Sequence, residues 1–136
     1  GDPRVDNILF LDGVGTQDKV QAVLIDWQLT GWRNPMHDVG YFLSGSVTID
    51  DRREHEKTLL SFYADAFGPA YPLENIIADY RVQLLSGLMT TIASYGLLPL
   101  NPSYDKLLIT LMHRNLAAAS DWGSIEAVRE LASRHA

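Results

Sequence analysis

From Leu73 to Tyr95 the residues Leu73, Ile76, Ile77, Tyr80, Leu84, Leu88, Ile92 and Tyr95 step by three or four positions without a break. That spacing follows the 3.6-residue turn and keeps one face of an α-helix apolar over roughly six turns. A strand, with its period of two, cannot reproduce it. The run makes the chain mainly helical, and further helical segments surround it. Asn34 caps a start at Pro35 that continues through "MHDVGYFLSG". Asp50 and Asp51 open a longer helix with Leu59, Leu60, Tyr63 and Phe67 on one face, ended by Gly68-Pro69. Asn101-Pro102 marks another capped start, with Leu107, Leu108, Leu111 and Met112 as its apolar stripe. Ser124 begins a short last helix carrying Ile125, Val128 and Leu131.

The first 34 residues have a different texture. Asn7 to Leu11 and Val20 to Asp26 read as β segments, and "DGVGTQDK" between them has the glycines and charges of a solvent-facing turn. The expected fold class is therefore mainly α with a small β-hairpin. With 136 residues and no linker or repeat, the chain reads as a single unit. Its hairpin part spans 1–34 and its helical part 35–136.

Composition removes several functional classes. There is no cysteine, so neither a disulfide framework nor a thiolate metal site can form. Seventeen acidic against eleven basic residues leave a net charge of −6, with no clustered basic patch of the kind that binds nucleic acid. The longest apolar run, Gly96-Leu97-Leu98-Pro99-Leu100, is too short and broken to span a bilayer. No charged-then-apolar leader opens the chain, so no secretory signal is read. A cytoplasmic protein bound to neither membrane nor nucleic acid is expected.

Chemistry concentrates at "GDPRVDN" and at the end of "VQAVLID". Asp2 and Asn7 stand five residues apart on a loop that feeds the first strand. A hairpin brings the base of its first strand beside the end of its second, so Asn7 and Asp26 should be neighbours, with Asp2 close by. One amide oxygen and one carboxylate suit a hard cation such as Mg²⁺, which is held by one or two protein oxygens plus substrate phosphates. Asp2 is then left to accept a proton from an incoming hydroxyl. Taken singly, a D-x-x-x-x-N or an aspartate after a strand is common, and Arg4 is most simply a surface cation. The joint order is specific: loop, strand, glycine-bearing turn, apolar strand, I-D-W, then Asn34-Pro35 and Asp38.

That order resembles the aminoglycoside phosphotransferase and choline-kinase-like superfamily. These enzymes share the protein-kinase fold, in which H-R-D-x-x-x-x-N is the catalytic loop and a metal-binding aspartate follows on a hairpin. The small-molecule branch has glycine in place of the arginine, and Gly1 stands at that position. "IDW" occupies the place of D-F-G, and "GWRNPMHDVGYFL" looks like the stretch with a further aspartate ahead of an apolar helix. "IDWQ" leans towards the broad bacterial and ecdysteroid-kinase-like branches. The specific motifs cover the first 45 residues or so. The resemblance implies that Asp2 orients the acceptor hydroxyl and takes its proton, and that Arg4 faces the transferring phosphoryl group. It also implies that Asn7 and Asp26 hold Mg²⁺ on the phosphates of ATP, and that Asp38 braces the catalytic loop through its backbone.

On that resemblance, the chain is the C-terminal lobe of a protein-kinase-like (α+β) fold. The N-terminal nucleotide lobe, with its phosphate-binding lysine and covering loop, lies outside it. The expected function is ATP-dependent transfer of a γ-phosphoryl group to a hydroxyl of a small-molecule acceptor, with the isolated chain inactive. A non-catalytic, pseudokinase-like binding or assembly domain is the alternative, and the joint presence of Asp2, Asn7 and Asp26 favours the enzyme. The surface towards the missing lobe should be apolar and drive association into a dimer or larger assembly. His37, His55, His113 and His135 lack metal-ligand spacing and read as surface or boundary residues. Tyr95 and Trp122 read as core, with a role beside Asp121 in an acceptor pocket as the more adventurous assignment.

Overall fold

The computed structural model describes residues 2–11, 20–97, 99 and 101–134. The expected turn at 12–19, Gly1 and His135 lie outside the described residues. Among those described, the chain has five α-helices and one two-stranded antiparallel sheet. A 3₁₀ turn at Val5–Asn7 leads into β1 (Ile8–Leu11), which pairs with β2 (Gln21–Leu24) in the register Ile8↔Leu24 to Leu11↔Gln21. Both strands are shorter than the sequence pattern suggests. Asn7 belongs to the 3₁₀ turn, and Asp26 turns out of the strand with φ 61° and ψ 62°. A second 3₁₀ turn, Trp27–Leu29, follows.

The helices are α1 (Met36–Ser46), α2 (Ile49–Phe67), α3 (Leu73–Leu97), α4 (Pro102–Asp121) and α5 (Ser124–Ser133). Each start has a local cause. At α1 the Asn34 Oδ1 accepts from Met36 N–H at 2.9 Å, while Pro35 has helical dihedrals just ahead of the first turn. At α2 the cap is Thr48, one step before the expected aspartates. Its Oγ1 accepts from Asp51 N–H and donates to the Asp51 carboxylate at 2.5 Å. At α4 the Asn101 Oδ1 accepts from Ser103 N–H, with Pro102 opening the helix. Gly68 ends α2 at φ 77°, a backbone conformation that favours glycine, and donates to Ala64 O.

Helix α3 is the axis of the molecule, with α1, α2, α4 and α5 packed on it. The core consists of Met36, Leu43, Leu60, Ile76, Tyr80, Leu84 and Ala118. The long stripe of α3 is covered only in its middle: Ile76, Tyr80 and Leu84 are buried, whereas Leu73, Ile92 and Tyr95 are exposed. Tyr95 is thus not core. Leu59 and Phe67 of α2 and Leu107 of α4 also face outward. On α5 the buried residues are Ser124 and Ala127, and the apolar Ile125, Val128 and Leu131 are exposed.

One polar cluster is built into this core. Arg52 and Glu56, side chains 1% and 5% exposed, pair one helical turn apart on α2 at 2.7 and 2.8 Å. Glu56 also accepts from the Tyr80 hydroxyl at 3.2 Å. Arg52 donates to Asp121, and Arg53 donates to both Asp121 oxygens at 2.8 and 3.0 Å. Asp121 and the half-buried Trp122, edge-on to Tyr80, therefore close the end of α4 over α2. Asp121 thus has a structural task, and with Trp122 it also lines a cavity beside Arg53, Glu56 and Lys57. Among the described residues no helix is long and apolar enough to cross a membrane.

Candidate functional site

The loop that opens the chain is folded tightly on itself. The backbone oxygen of Asp2 accepts from Arg4 N–H and from Asn7 Nδ2, both at 2.9 Å. Asn7 N–H in turn donates to Arg4 O at 2.9 Å, which closes the 3₁₀ turn. Val5 N–H donates to Ser46 Oγ at 3.0 Å and so fastens the loop to the end of α1. On the hairpin side, Ile25 N–H donates to Asn7 O at 2.9 Å, carrying the β1–β2 register one step past the sheet. Asn7 and the Ile25-Asp26 turn are therefore neighbours, as hairpin geometry requires.

Asp26 adopts left-handed dihedrals, the single non-glycine residue to do so among those described. That conformation costs energy and is kept where the surroundings impose it, typically at functional sites. Here it breaks β2 and swings the carboxylate off the strand. The turn behind it is pinned by Trp27, whose indole N–H donates to Leu24 O at 3.0 Å, and by Thr30, whose hydroxyl donates to Trp27 O at 2.6 Å.

Asp2, Asp26 and Asp38 line one cleft of about 70 Å³, together with Trp27 and Thr30. Asn7 is buried and does not line it. Because its Nδ2 is engaged on the Asp2 carbonyl, Oδ1 is the amide atom suited to a cation. Asp38 enters from the first turn of α1 and is exposed. Among the described residues no three acidic or histidine side chains form a metal cage of their own. The expected donors, the Asp26 carboxylate and the Asn7 amide oxygen, sit on adjacent backbone and make an all-oxygen, sparse set. It suits Mg²⁺, which takes one or two protein oxygens and completes its shell with water and phosphate.

Arg4 leans back on the loop: its Nε is 3.4 Å from Asp2 Oδ2, and a terminal nitrogen is 3.7 Å from Asp6. Tyr41 is a neighbour that the sequence did not single out. Burial, then the negative charge of Asp2 and hydrogen bonding with it, push the Tyr41 hydroxyl up to about 12. It stays protonated at neutral pH and presents a donor to the carboxylate. Its place three residues after Asp38 puts both on one face of α1, but nothing local in the sequence ties that face to Asp2. His37, expected at the surface or a boundary, falls on the buried side. It takes a 3.2 Å contact from Arg33 at Nε2 and is held below its ordinary range by burial and then by the Arg33 charge.

The sequence profile described as the ecdysteroid kinase-like family matches residues 1–70, which contain every residue of this cleft. No curated protein and no solved structure matches the chain.

Proposed function

The chain belongs to the ecdysteroid kinase-like family, and from that premise we propose that it is the C-terminal catalytic portion of an ATP-dependent phosphotransferase acting on a small-molecule hydroxyl. The family lies within the aminoglycoside phosphotransferase and choline-kinase-like superfamily of small-molecule kinases, and kinase membership implies ATP as the donor. The observation that carries the proposal is the cleft shared by Asp2 and Asp26, on a loop locked by the Asn7 amide.

In the proposed reaction the acceptor oxygen forms a bond to Pγ as the Pγ–O bond to ADP breaks, and the hydroxyl proton passes to Asp2. Arg4 and Tyr41 hold the Asp2 carboxylate in place, and Arg4 is the cation proposed to offset charge on the transferring group. Asn7 and Asp26 would hold Mg²⁺, which when bound offsets the charge of the phosphates. Asp38, at the rim of the same cleft, braces the loop. The nucleotide lobe that supplies the phosphate-binding lysine would come from chain outside these 136 residues.

The experiment is a phosphoryl-transfer screen of the full-length protein, with ATP and Mg²⁺, against a panel of hydroxylated small molecules. The family's name makes an ecdysteroid the first acceptor to try, and an aminoglycoside belongs in the same panel. A phosphorylated product with stoichiometric ADP is the expected result. Nucleotide binding without transfer to any panel member would favour the non-catalytic alternative.

A further inference from the structure

Among the described residues five buried side-chain polar atoms find no hydrogen-bond partner in the protein, and four of them fall in two pairs: Asp2 Oδ1 with Arg4 Nε, and Asn115 Oδ1 with Ser44 Oγ. Arg4 Nε is 3.4 Å from the other oxygen of Asp2. Arg4 and Asn115 both line a small cavity of about 10 Å³ between the loop and helices α1, α3 and α4, with Tyr41, Gly87 and Thr91 in its wall. A Cβ on Gly87 would stand 3.0 Å from Asn115 Oδ1 and 3.2 Å from Ser44 Oγ. The two orphan acceptors therefore converge over this glycine, and only a residue without a side chain leaves them room. Asn115 is 2% exposed and Ser44 is fully buried.

The orientation of the Asn115 amide is fixed by its own partners. Nδ2 donates to Thr91 Oγ1 at 3.0 Å, and the Thr91 hydroxyl donates to Gly87 O at 2.9 Å. Thr91 has spent its proton on Gly87, so it needs a donor from Asn115, and Oδ1 must be the atom left over. A buried amide oxygen and a buried guanidinium N–H on one cavity of this size are the partners that hold a single water, which needs two to four polar contacts.

We infer that the cavity is a hydration site, and that through its water Asn115, with Ser44 beside it over Gly87, acts as a positioning residue for Arg4 and, through Arg4, for Asp2. This rests on the assignment of Asp2 as the proton acceptor. The helical core thereby fixes the loop through Arg4. Arg114, which donates to Gly45 O at 3.0 Å, keeps α4 and α1 at the spacing the site needs.

The test uses ¹⁵N-labelled full-length protein. The Arg4 Nε–H should show a cross-peak to bound water and slow solvent exchange. Ser44→Ala and Asn115→Leu should each speed that exchange at least about tenfold, leaving Arg81 Nε–H, bonded to Trp122 O, unchanged. Ser44→Ala is the smaller change and serves should Asn115→Leu fail to fold. With water as the acceptor probe, both variants should lower kcat for ATP turnover on the order of tenfold, with KM for ATP unchanged. An Arg4 signal without a water cross-peak, exchange unaltered by either substitution, or kcat and KM that move together would overturn the inference. Should Arg4 respond as expected while unmodified protein transfers phosphate to no acceptor of the screen, the hydration site stands and the phosphotransferase assignment falls.

Discussion

Asp26 carries the clearest conflict between local preference and position. Its left-handed backbone is one that glycine adopts without cost, so Asp26→Gly should stabilise the fold by up to about 1 kcal/mol. The same change removes the carboxylate proposed to hold Mg²⁺, so Mg²⁺-dependent nucleotide binding should be lost. Thermal melts and a Mg²⁺ titration of nucleotide binding measure the two effects. A destabilised variant would show that the side chain, not the cation, justifies the strain. His37 sets a pH dependence of a different kind. Burial and Arg33 hold it below its ordinary value of 6.5, so the fold keeps a neutral imidazole where the unfolded chain takes up a proton. Its contribution is complete above about 6.5 and is lost as pH falls below that. Urea unfolding between pH 7.5 and 5.5 should show stability declining on acidification, and His37→Gln should flatten the curve. An identical slope in the variant would assign the decline to other groups.

Among the elements, α2 and α4 are joined by a largely buried charge cluster. Arg52 is tied to Glu56 and Asp121, and Tyr80 completes the set. Removing one partner strands the others, so Arg52→Ala should cost about 3–5 kcal/mol in chemical denaturation. A loss under about 1 kcal/mol would mean that water reaches and satisfies Glu56. Nothing in the sequence pattern announces this cluster, because its members come from three helices up to 69 residues apart. What the sequence does reveal is local. The capped starts at Asn34 and Asn101 are legible because the asparagine bonds an N–H only two residues on. The hairpin and its aspartate are legible for the same reason. Periodicity says which residues share a face but not whether another element covers it. Ile125, Val128 and Leu131 do share a face of α5, yet they remain exposed while Ser124 and Ala127 make the contact. Tyr41 escaped notice because its nearness to Asp2 depends on how α1 docks beneath the loop.

At the scale of the whole molecule, the hairpin end is unusually apolar for a free surface. Phe10, Val20, Trp27 and Leu29 are all more than half exposed, and Trp32 is fully so. Patches of this kind drive association, and we propose that a nucleotide lobe covers this one in the full-length protein. The isolated 136-residue chain should self-associate in a concentration-dependent way by light scattering, and a monomer at every concentration would argue against that cover. The phosphotransferase assignment itself stands on one carboxylate. The measurement that bears on it most directly is kcat for full-length Asp2→Asn, using ATP and an acceptor from the screen. The side chain keeps its shape but loses the proton acceptor, so kcat should fall roughly 10²- to 10⁴-fold with nucleotide affinity unchanged. Turnover equal to that of the unmodified protein would contradict the account, because some other group would then be taking the proton.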